Sequence, residues 1–345
     1  MSVAEYMALC LLDPDHGYYT TREPFGAEGD FTTAPEISQM FGELIAVWLR
    51  SSLEAAGWRD LCPLVEIGPG RGTLMKDMLR AFHRLDPTWA SALPVCLVEA
   101  SPRLRDVQRE TLGEAQQIIW LDSLDTLPPS PLLIVANEFF DALPIRQYLK
   151  AGDVWRERLI GLDDRDRLCF VAGPGTVDAA ILPPDAEREP DGAVFEFAPA
   201  REAAMDQLAA HFADHGGLGL FIDYGHLSPG FGDTLQAVRA HGFTDVFDQP
   251  GQADLTTHVD FAALAAIARS HGLQSWTATQ GEFLLSLGLL ERAGRLGAQA
   301  DESARERIRS EVERLAAPSE MGELFKVLVI ASPGLLPPRP SPSGN

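Results

Sequence analysis

The sequence predicts an α/β protein with a mostly parallel sheet and helices on both of its faces. Short apolar segments with strand character alternate with amphipathic helical segments, which is the pattern of consecutive βαβ units. A glycine-bearing turn joins the first of these strands to its helix. The chain has 345 residues, of which 46% are hydrophobic, so it can bury a large core.

The elements of this alternation follow one another along the chain. Apolar runs predict strands at residues 64–67, 95–99, 118–121 and 132–137, with helices at 73–85 and 103–112. After residue 147 the pattern becomes shorter and more strand-like, with a proline-rich interruption at 182–192. The rest alternates again, with helices at 201–215, 261–271 and 288–317 and strands at 218–223 and 324–332.

These patterns predict three regions. Residues 1–60 form an N-terminal helical extension that contains a loop rich in Gly, Thr and Pro at 20–35. Residues 61–332 form the main domain, with insertions around 147–197 and 282–317. The tail, 333–345, is rich in Pro, Ser and Gly, so we expect it to be disordered.

Composition narrows the class of function. Fifty acidic residues oppose 28 basic ones, and the resulting charge of −22 repels nucleic acid and favours cationic partners. The four cysteines form no CxxC pair, so we expect a reduced protein without a structural metal. No apolar run is long enough for a membrane span and no secretory signal is seen, so a cytoplasmic location is expected.

The stretch LVEIGPGRGTL, residues 64–74, carries the most specific signal. Glycines after a buried strand let the backbone approach a ligand closely. A dinucleotide-binding turn would need G-x-G-x-x-G, but Thr73 stands where its third glycine should fall. The observed G-x-G-x-G spacing, with an acid two residues before it, favours S-adenosylmethionine, whose cationic end the acid can orient. The predicted donor-binding residues here are Glu66, Gly68, Pro69, Gly70 and Gly72.

Further donor contacts are predicted at the ends of the next strands, because ligands bind there in open α/β sheets. Glu99 can accept hydrogen bonds from both ribose hydroxyls, and Asp122 or Ser123 can meet the adenine edge. The loop before the sheet is interpreted as a lid over the donor, although Thr33 or Ser38 could instead cap a helix. The remaining predicted donor-binding residues are Asp30, Thr32, Thr33, Glu36, Ala100 and Asn137.

The segment IVANEFFDALP ends the fourth strand and is the candidate acceptor site. It lacks the prolines typical of enzymes that methylate amino groups of nucleic acids. A planar guanidinium held by carboxylates fits better, with Glu138 first and Asp141 second. The alternatives are that Glu138 caps a following helix and that Asp141 is solvated. His226, in LFIDYGH, is a candidate base or pocket residue, against a purely structural role.

Several segments together resemble the MidA-type class I methyltransferases. They include HGYYTTREPFGAEGDFTTAPEISQMFGE, LVEIGPGRGTLMKDMLR, ANEFFDALPIRQ and MGELFKVL, and the likeness spans roughly residues 3–332. The resemblance implies a Rossmann-like class I methyltransferase core with a mostly parallel seven-stranded sheet. It also implies an N-terminal helical and loop extension and inserted β and helical elements. Gly68, Gly70 and Gly72 would cradle the donor, Glu99 would bind its ribose, and GDFTTAPE would flank it.

The resemblance also implies a function. Mitochondrial members are respiratory complex I assembly factors, regarded as protein arginine methyltransferases, so the expected acceptor is a protein with an exposed arginine. Two other functions stay open at this point: a donor-binding assembly chaperone with little catalysis, and methylation of another protein or a small molecule. Family members usually begin with a further helix before the segment that resembles SVAEYM, so whether the native start lies upstream of Met1 is left open. The oligomeric state, including a homodimer, is left open.

Overall fold

The computed structural model describes residues 1–21, 32–58, 61–113, 117–240 and 242–339. The helices are α1 (Val3–Leu12), α2 (Tyr18–Thr21), α3 (Ala34–Ile37), α4 (Gln39–Ala55), α5 (Thr73–Leu85), α6 (Pro87–Ala92), α7 (Pro102–Leu112), α8 (Pro199–His215), α9 (Phe261–Ser270), α10 (Gln280–Ser286), α11 (Leu289–Gly297), α12 (Glu302–Ala316) and α13 (Met321–Leu324). The strands are β1 (Leu64–Ile67), β2 (Val95–Val98), β3 (Ile118–Leu121), β4 (Leu132–Asn137), β5 (Arg146–Ala151), β6 (Val154–Leu162), β7 (Leu168–Thr176), β8 (Val194–Phe197), β9 (Gly217–His226), β10 (Gln236–Arg239), β11 (Gly242–Thr244), β12 (Asp254–Thr256), β13 (Val259–Asp260), β14 (Gln274–Thr279) and β15 (Phe325–Ala331).

The main sheet has the strand order β14-β15-β9-β4-β1-β2-β3, and β13 pairs with β9 beside this path. Neighbours from β9 to β3 run parallel, whereas β15 runs antiparallel to both β9 and β14. The order turns back at β1, from which β2 lies on one side and β4 on the other. The carboxyl ends of β1, β2 and β4 therefore meet at one edge, at the switch point where such sheets bind ligands.

Both faces of this sheet are covered, because successive strand residues alternate between two hydrophobic clusters. Leu64 in β1 packs in a cluster with residues of α4, α5 and α10, whereas Val65 packs with residues of α8 and α9. Leu74 and Met75, near the start of α5, are fully buried. The glycine-bearing segment that precedes this helix is therefore fixed against the sheet.

Two smaller sheets extend the core. The first is antiparallel, in the order β7-β6-β5-β8, and lies between β4 and β9 in the chain, so the strand-like pattern predicted after residue 147 is confirmed. The second, β11-β10-β12, was not predicted, because its strands have only three or four residues each. Strand β14 and helix α10 were not predicted either. Helices α11 and α12 occupy the region in which one continuous helical block was predicted.

The end of the chain differs from the prediction. Leu335 is buried in the core and Trp276 Nε1 donates a hydrogen bond of 2.8 Å to the Pro337 carbonyl. This part of the tail is therefore packed on the core instead of disordered, while residues 340–345 lie outside the described residues. Among the helices in the described ranges, none is long and apolar enough to cross a membrane. The predicted domain boundaries stay a prediction.

Candidate functional site

The glycine turn connects β1 to α5 in a left-handed backbone conformation. Gly68, Gly70 and Gly72 have φ angles of 65°, 52° and 81°, which a residue with a Cβ adopts only under strain. The Gly72 amide closes the turn on the Pro69 carbonyl at 2.7 Å. Gly72 is also the N-cap of α5 and supplies no capping side chain, and the Met75 amide in the first turn of the helix donates to the Glu66 carboxyl group instead.

Glu66 lies beneath this turn and is the most unusual carboxyl group of the site. Glu66 is 3% exposed, and within the part of the chain that the structure describes its Oε2 has no hydrogen-bond partner. Burial raises the pKa of Glu66 to about 8, against a smaller opposing effect of a backbone hydrogen bond at Met75. Because an orphaned buried oxygen is costly, this site fits a ligand that brings a hydrogen-bond donor or a cation.

Glu99, at the end of β2, is fixed from two sides. The Ser101 amide donates to its Oε1 at 2.8 Å and the Gln108 side chain donates to its Oε2 at 3.2 Å. The same Gln108 nitrogen donates to the Gly70 carbonyl at 2.8 Å, so one amide joins the glycine turn to the predicted ribose acid. Burial raises the pKa of Glu99. Ala100, next in the chain, is exposed.

The structure places Asp122 at the rim of this edge. Its side chain is 84% exposed and forms an ion pair of 2.5 Å with Arg105, which also donates to the Glu99 carbonyl. Ser123 is half-buried and its hydroxyl approaches Asp125 at 3.5 Å. Both residues follow β3 as expected, but neither lines the pocket of the glycine turn. Their contact with adenine stays a prediction.

The N-terminal segment lies across the glycine turn. Thr33 and Glu36 line one pocket with Glu66, Gly70 and other residues of the turn. The Thr73 hydroxyl donates a hydrogen bond to Glu36 Oε1, which ties α3 to the start of α5.

The two capping alternatives separate in this segment. Thr33 precedes α3 without a side-chain capping bond, whereas the Ser38 hydroxyl caps α4 by accepting the Met40 amide at 3.2 Å. Thr32 is half-buried beside Thr33, and Asp30 lies outside the described residues. The interpretation of the segment as a lid stays a prediction.

Asn137 and Glu138 end β4 at the opposite wall of the same pocket. Glu138 has a φ of 54°, in the left-handed region that is uncommon for a residue with a side chain. Asn137 Nδ2 donates to its Oε1 at 2.8 Å. Burial, followed by the nearby Asp141 carboxylate, raises the pKa of Glu138 to about 8. No helix begins between residues 138 and 145, so Glu138 caps none.

Asp141 is buried, so the alternative that it is solvated is wrong. It lies behind Glu138 and outside the pocket, and its pKa is raised by burial against the opposing influence of Tyr224 and Arg201. The loop that carries it is anchored by Asp223, whose Oδ2 accepts the amides of Phe140 at 3.0 Å and Asp141 at 3.1 Å.

Arg201, which is 3% exposed, fastens the same loop from the other side. Its guanidinium donates to the Phe140 carbonyl at 2.7 Å and to the Asp141 carbonyl at 3.1 Å. It also donates to the carbonyls of Thr257 and His258, at 3.1 Å and 2.6 Å. The loop after β4 is thereby held in one position by groups from two distant parts of the chain.

His226 is not brought together with Glu138. It lies at the end of β9, half-buried, with Nδ1 at 2.6 Å from the Ser228 carbonyl and 4.0 Å from Asp260 Oδ1. It lines a different cavity, of about 860 Å³, between the inserted sheet and α9. A role of His226 at the methyl group therefore has no support from its position.

Sequence reasoning missed three residues of this region. Arg71 is the only cation among the described residues that line the pocket of the glycine turn. Gln108 is fully buried, and its spacing of four residues from Leu104 and from Leu112 marks it as a polar group on the apolar face of α7. That spacing could have revealed it. Nothing in the sequence around Arg201 marks its buried position.

Comparison with known proteins agrees with this geometry. A family model described as "Putative S-adenosyl-L-methionine-dependent methyltransferase" matches residues 44–279. The chain is 35% identical to protein arginine methyltransferase NDUFAF7, mitochondrial, of Danio rerio, over 98% of this chain and 85% of that protein. The corresponding protein of Homo sapiens is 34% identical, over 96% of this chain and 80% of that one.

One solved structure is similar over nearly the whole chain. It is a protein from Burkholderia thailandensis bound to S-adenosyl-homocysteine, with 29% sequence identity and a TM-score of 0.80. The similarity covers 98% of this chain and 89% of that one, which confirms the predicted fold class. The expectation of a plain cytoplasmic location is wrong, because the curated relatives are mitochondrial proteins.

Proposed function

The chain belongs to this family of S-adenosyl-L-methionine-dependent methyltransferases, and from that premise we propose that it methylates an arginine of a partner protein. It is an enzyme, and S-adenosyl-L-methionine is its cofactor. The finer assignment, to an arginine guanidinium, is supported by the names of the relatives and by the position of Glu138. The proposal rests mainly on the position of Glu138, whose carboxyl group lies at the wall of the donor pocket.

The donor fits the residues of this pocket. We propose that the backbone of Gly68 to Gly72 lies against its amino acid end, that the orphaned Glu66 oxygen accepts from its ammonium, and that Glu99 accepts from its ribose hydroxyls. When bound, the donor would supply a methyl carbon on a sulfonium, which an acceptor nitrogen can attack as the carbon–sulfur bond breaks to leave the thioether. The proton that this nitrogen loses would pass to the Glu138 carboxylate or to water. The segment of Thr33 and Glu36 would then exclude water from the reacting atoms.

Glu138 would orient the acceptor. With a pKa of about 8 it is mostly protonated at neutral pH in the free protein, and an arriving guanidinium favours its ionised form. The carboxylate can then hold two guanidinium N–H groups and leave the third nitrogen facing the methyl group. Asn137, which donates to Glu138 Oε1, keeps the carboxyl group turned into the pocket. Asp141 and Asp223 act by holding the loop, without contact to the acceptor.

We further propose a subunit of respiratory complex I as the acceptor, which is the substrate that the family resemblance implies. The charge of −22 is compatible with a cationic acceptor segment. An assembly chaperone that binds the donor without turnover would use the same pocket. The two functions differ in one requirement, because only the enzyme needs a carboxylate at position 138.

The experiment compares the wild type with Glu138→Gln. Extract proteins are incubated with the enzyme and radiolabelled donor, and modified arginines are located by mass spectrometry. We expect the variant to lose at least about tenfold in turnover, or ~1.4 kcal/mol in the barrier, with unchanged affinity for S-adenosyl-homocysteine. Glu110→Gln, which removes an exposed acid on α7, is the matched control and should leave both unchanged.

Two results would contradict the proposal. Equal turnover of wild type and Glu138→Gln would remove the carboxylate from the reaction. If residues other than arginine carry the label, the methyl acceptor is not arginine and the proposed substrate class is wrong. If the wild type binds the donor but labels no protein, the chaperone function gains support instead.

A further inference from the structure

A large cavity lies outside the donor pocket. It has a volume of about 860 Å³, within the range of sites that bind small ligands or peptide segments. Its walls come from β8 of the inserted sheet, from the loop that follows β9, and from α8 and α9. Most of the lining is apolar, including Leu182, Pro183, Phe195, Phe197 and Phe231.

Two carboxyl groups interrupt this apolar lining. Glu202 is half-buried, and within the described residues its carboxylate accepts no hydrogen bond and forms no ion pair. Asp260 caps α9 by accepting the Ala263 amide at 3.0 Å. Burial raises the pKa of Glu202, and repulsion by the neighbouring Asp260 carboxylate raises it further.

Among the described residues, no basic side chain that lines the cavity forms an ion pair with Glu202. Arg201 is buried and directs its guanidinium to four backbone carbonyls, and Arg269 is exposed at the rim, where it contacts Ser275. His258 also faces the cavity, and burial lowers the pKa of its imidazole, whereas His226 lies with its Nδ1 4.0 Å from Asp260 Oδ1 and not at Glu202. A cationic group of an incoming molecule would meet Glu202 without competition.

Arg201 connects this cavity to the loop that carries Glu138. It lines the cavity, and its guanidinium donates to the carbonyls of Phe140 and Asp141, which follow Glu138 by two and three positions. The wall of the cavity is therefore in direct contact with the loop that carries Glu138. The inserted sheet, which forms one wall, is an addition to the core fold and is suited to selecting the acceptor.

We propose that this cavity binds the segment of the methyl acceptor next to the target arginine, with a second basic side chain at Glu202 and apolar neighbours against the aromatic wall. This inference rests on the proposed function, because it assigns a place to the same acceptor. The occupant is a segment that combines an arginine or lysine with an aromatic or proline residue. Charge complementarity to Glu202 and Asp260, and the apolar lining, select for that combination.

The test uses binding without methyl transfer. The probe is Nα-benzoyl-L-arginine amide, which carries a guanidinium and an aromatic ring. Nα-benzoyl-L-citrulline amide is the control ligand, because it has nearly the same shape without the charge. Calorimetry with protein saturated in S-adenosyl-homocysteine compares the wild type with Glu202→Gln, Glu138→Gln and the exposed-site control Glu110→Gln.

We expect the arginine probe to bind the wild type at least about tenfold more tightly than the citrulline probe, which corresponds to ~1.4 kcal/mol. Glu202→Gln should remove most of that preference and the surface control Glu110→Gln should retain all of it. Glu138→Gln removes the guanidinium partner proposed in the donor pocket and should lower the preference only in part, because the aromatic ring of the probe favours the cavity. Loss of the preference in Glu138→Gln alone would place the probe in the donor pocket and overturn the inference. Equal binding of both probes by the wild type, or no binding, would also overturn it.

Failure of the inference and failure of the proposed function give different results. If the probe binds at Glu202 but no arginine is methylated in extracts, the cavity is supported as a binding site and the proposed reaction is refuted. Arginine methylation that is lost in Glu138→Gln but unchanged in KM and kcat in Glu202→Gln would leave the reaction supported and the cavity refuted. A raised KM with unchanged kcat in Glu202→Gln agrees with both.

Discussion

Replacing Gln108 by leucine tests whether one buried amide organises the donor site. Gln108 is fully buried and makes three contacts: its Nε2 donates to the Gly70 carbonyl at 2.8 Å and to Glu99 Oε2 at 3.2 Å, and its Oε1 accepts from Trp120 Nε1 at 2.9 Å. Leucine has a similar size but no polar group. The variant therefore leaves two acceptors and one donor without this partner.

The magnitude follows from the surroundings of those three groups. A buried polar group that loses its partner costs ~1–3 kcal/mol, and the Gly70 and Glu99 groups are half-buried, which lowers their share. We expect the free energy of unfolding to fall by about 3 kcal/mol in total. The glycine turn and Glu99 are then no longer joined, so affinity for S-adenosyl-homocysteine should fall about tenfold.

Urea unfolding monitored by circular dichroism and calorimetric titration with S-adenosyl-homocysteine measure the two effects. Gln207→Leu is the matched control, because Gln207 is on the surface of α8, where its side chain donates to Asp125 Oδ1 at 2.8 Å. A loss of stability below about 0.5 kcal/mol in Gln108→Leu, equal to an ordinary surface substitution, would refute the reasoning. Loss of stability with unchanged affinity would show that the contact stabilises the fold without arranging the site.

Two further predictions concern charges in the donor pocket. Arg71→Ala should lower the affinity for S-adenosyl-homocysteine about tenfold, because Arg71 is the cation available to the carboxylate of this ligand. The affinity for its decarboxylated analogue, S-adenosyl-3-thiopropylamine, should not change. Equal losses of affinity for both ligands in calorimetry, or a loss in the Lys76→Ala control, would contradict this. Glu66→Gln should flatten the pH dependence of stability. The pKa of Glu66 is about 8 in the folded protein and 4.5 ordinarily, so between these two pH values the folded protein binds more protons than the unfolded protein. The free energy of unfolding therefore falls as the pH rises from 4.5 to about 8. Removing this carboxyl should reduce the slope by at most about 1.4 kcal/mol per pH unit, and identical urea-unfolding slopes for both proteins would refute it.

The core of the fold could be predicted because its signals are local. The strands β1, β3 and β4 begin and end where the apolar runs do, and the glycines of the turn have the positive φ angles that only such a sequence supplies cheaply. The small sheet β11-β10-β12 could not be predicted, because strands of three or four residues are defined by pairing across the chain more than by their own composition.

The candidate site was predictable in part for the same reason. Glu66 and Glu138 follow or precede recognisable strand ends, and the structure brings both to one pocket. His226 also ends a strand, but β9 continues four residues beyond the pairing of Ile222 with Asn137, which carries His226 away from Glu138. Partners such as Gln108 and Arg201 act through tertiary contacts, and only the first leaves a trace in the helical spacing.

The way Arg201 is bonded also bears on how the protein folds. Its carbonyl partners lie 61 positions earlier and 57 positions later in the chain, so two long loops must close before the guanidinium is satisfied. Closing long loops costs entropy, and contacts of this kind slow folding. The loop after β4 should therefore reach its final shape late, when the sheet is already formed. Until this loop closes, the folding chain contains an Arg201 guanidinium that lacks its carbonyl partners. We expect the chain to be most prone to misfolding and aggregation at this stage.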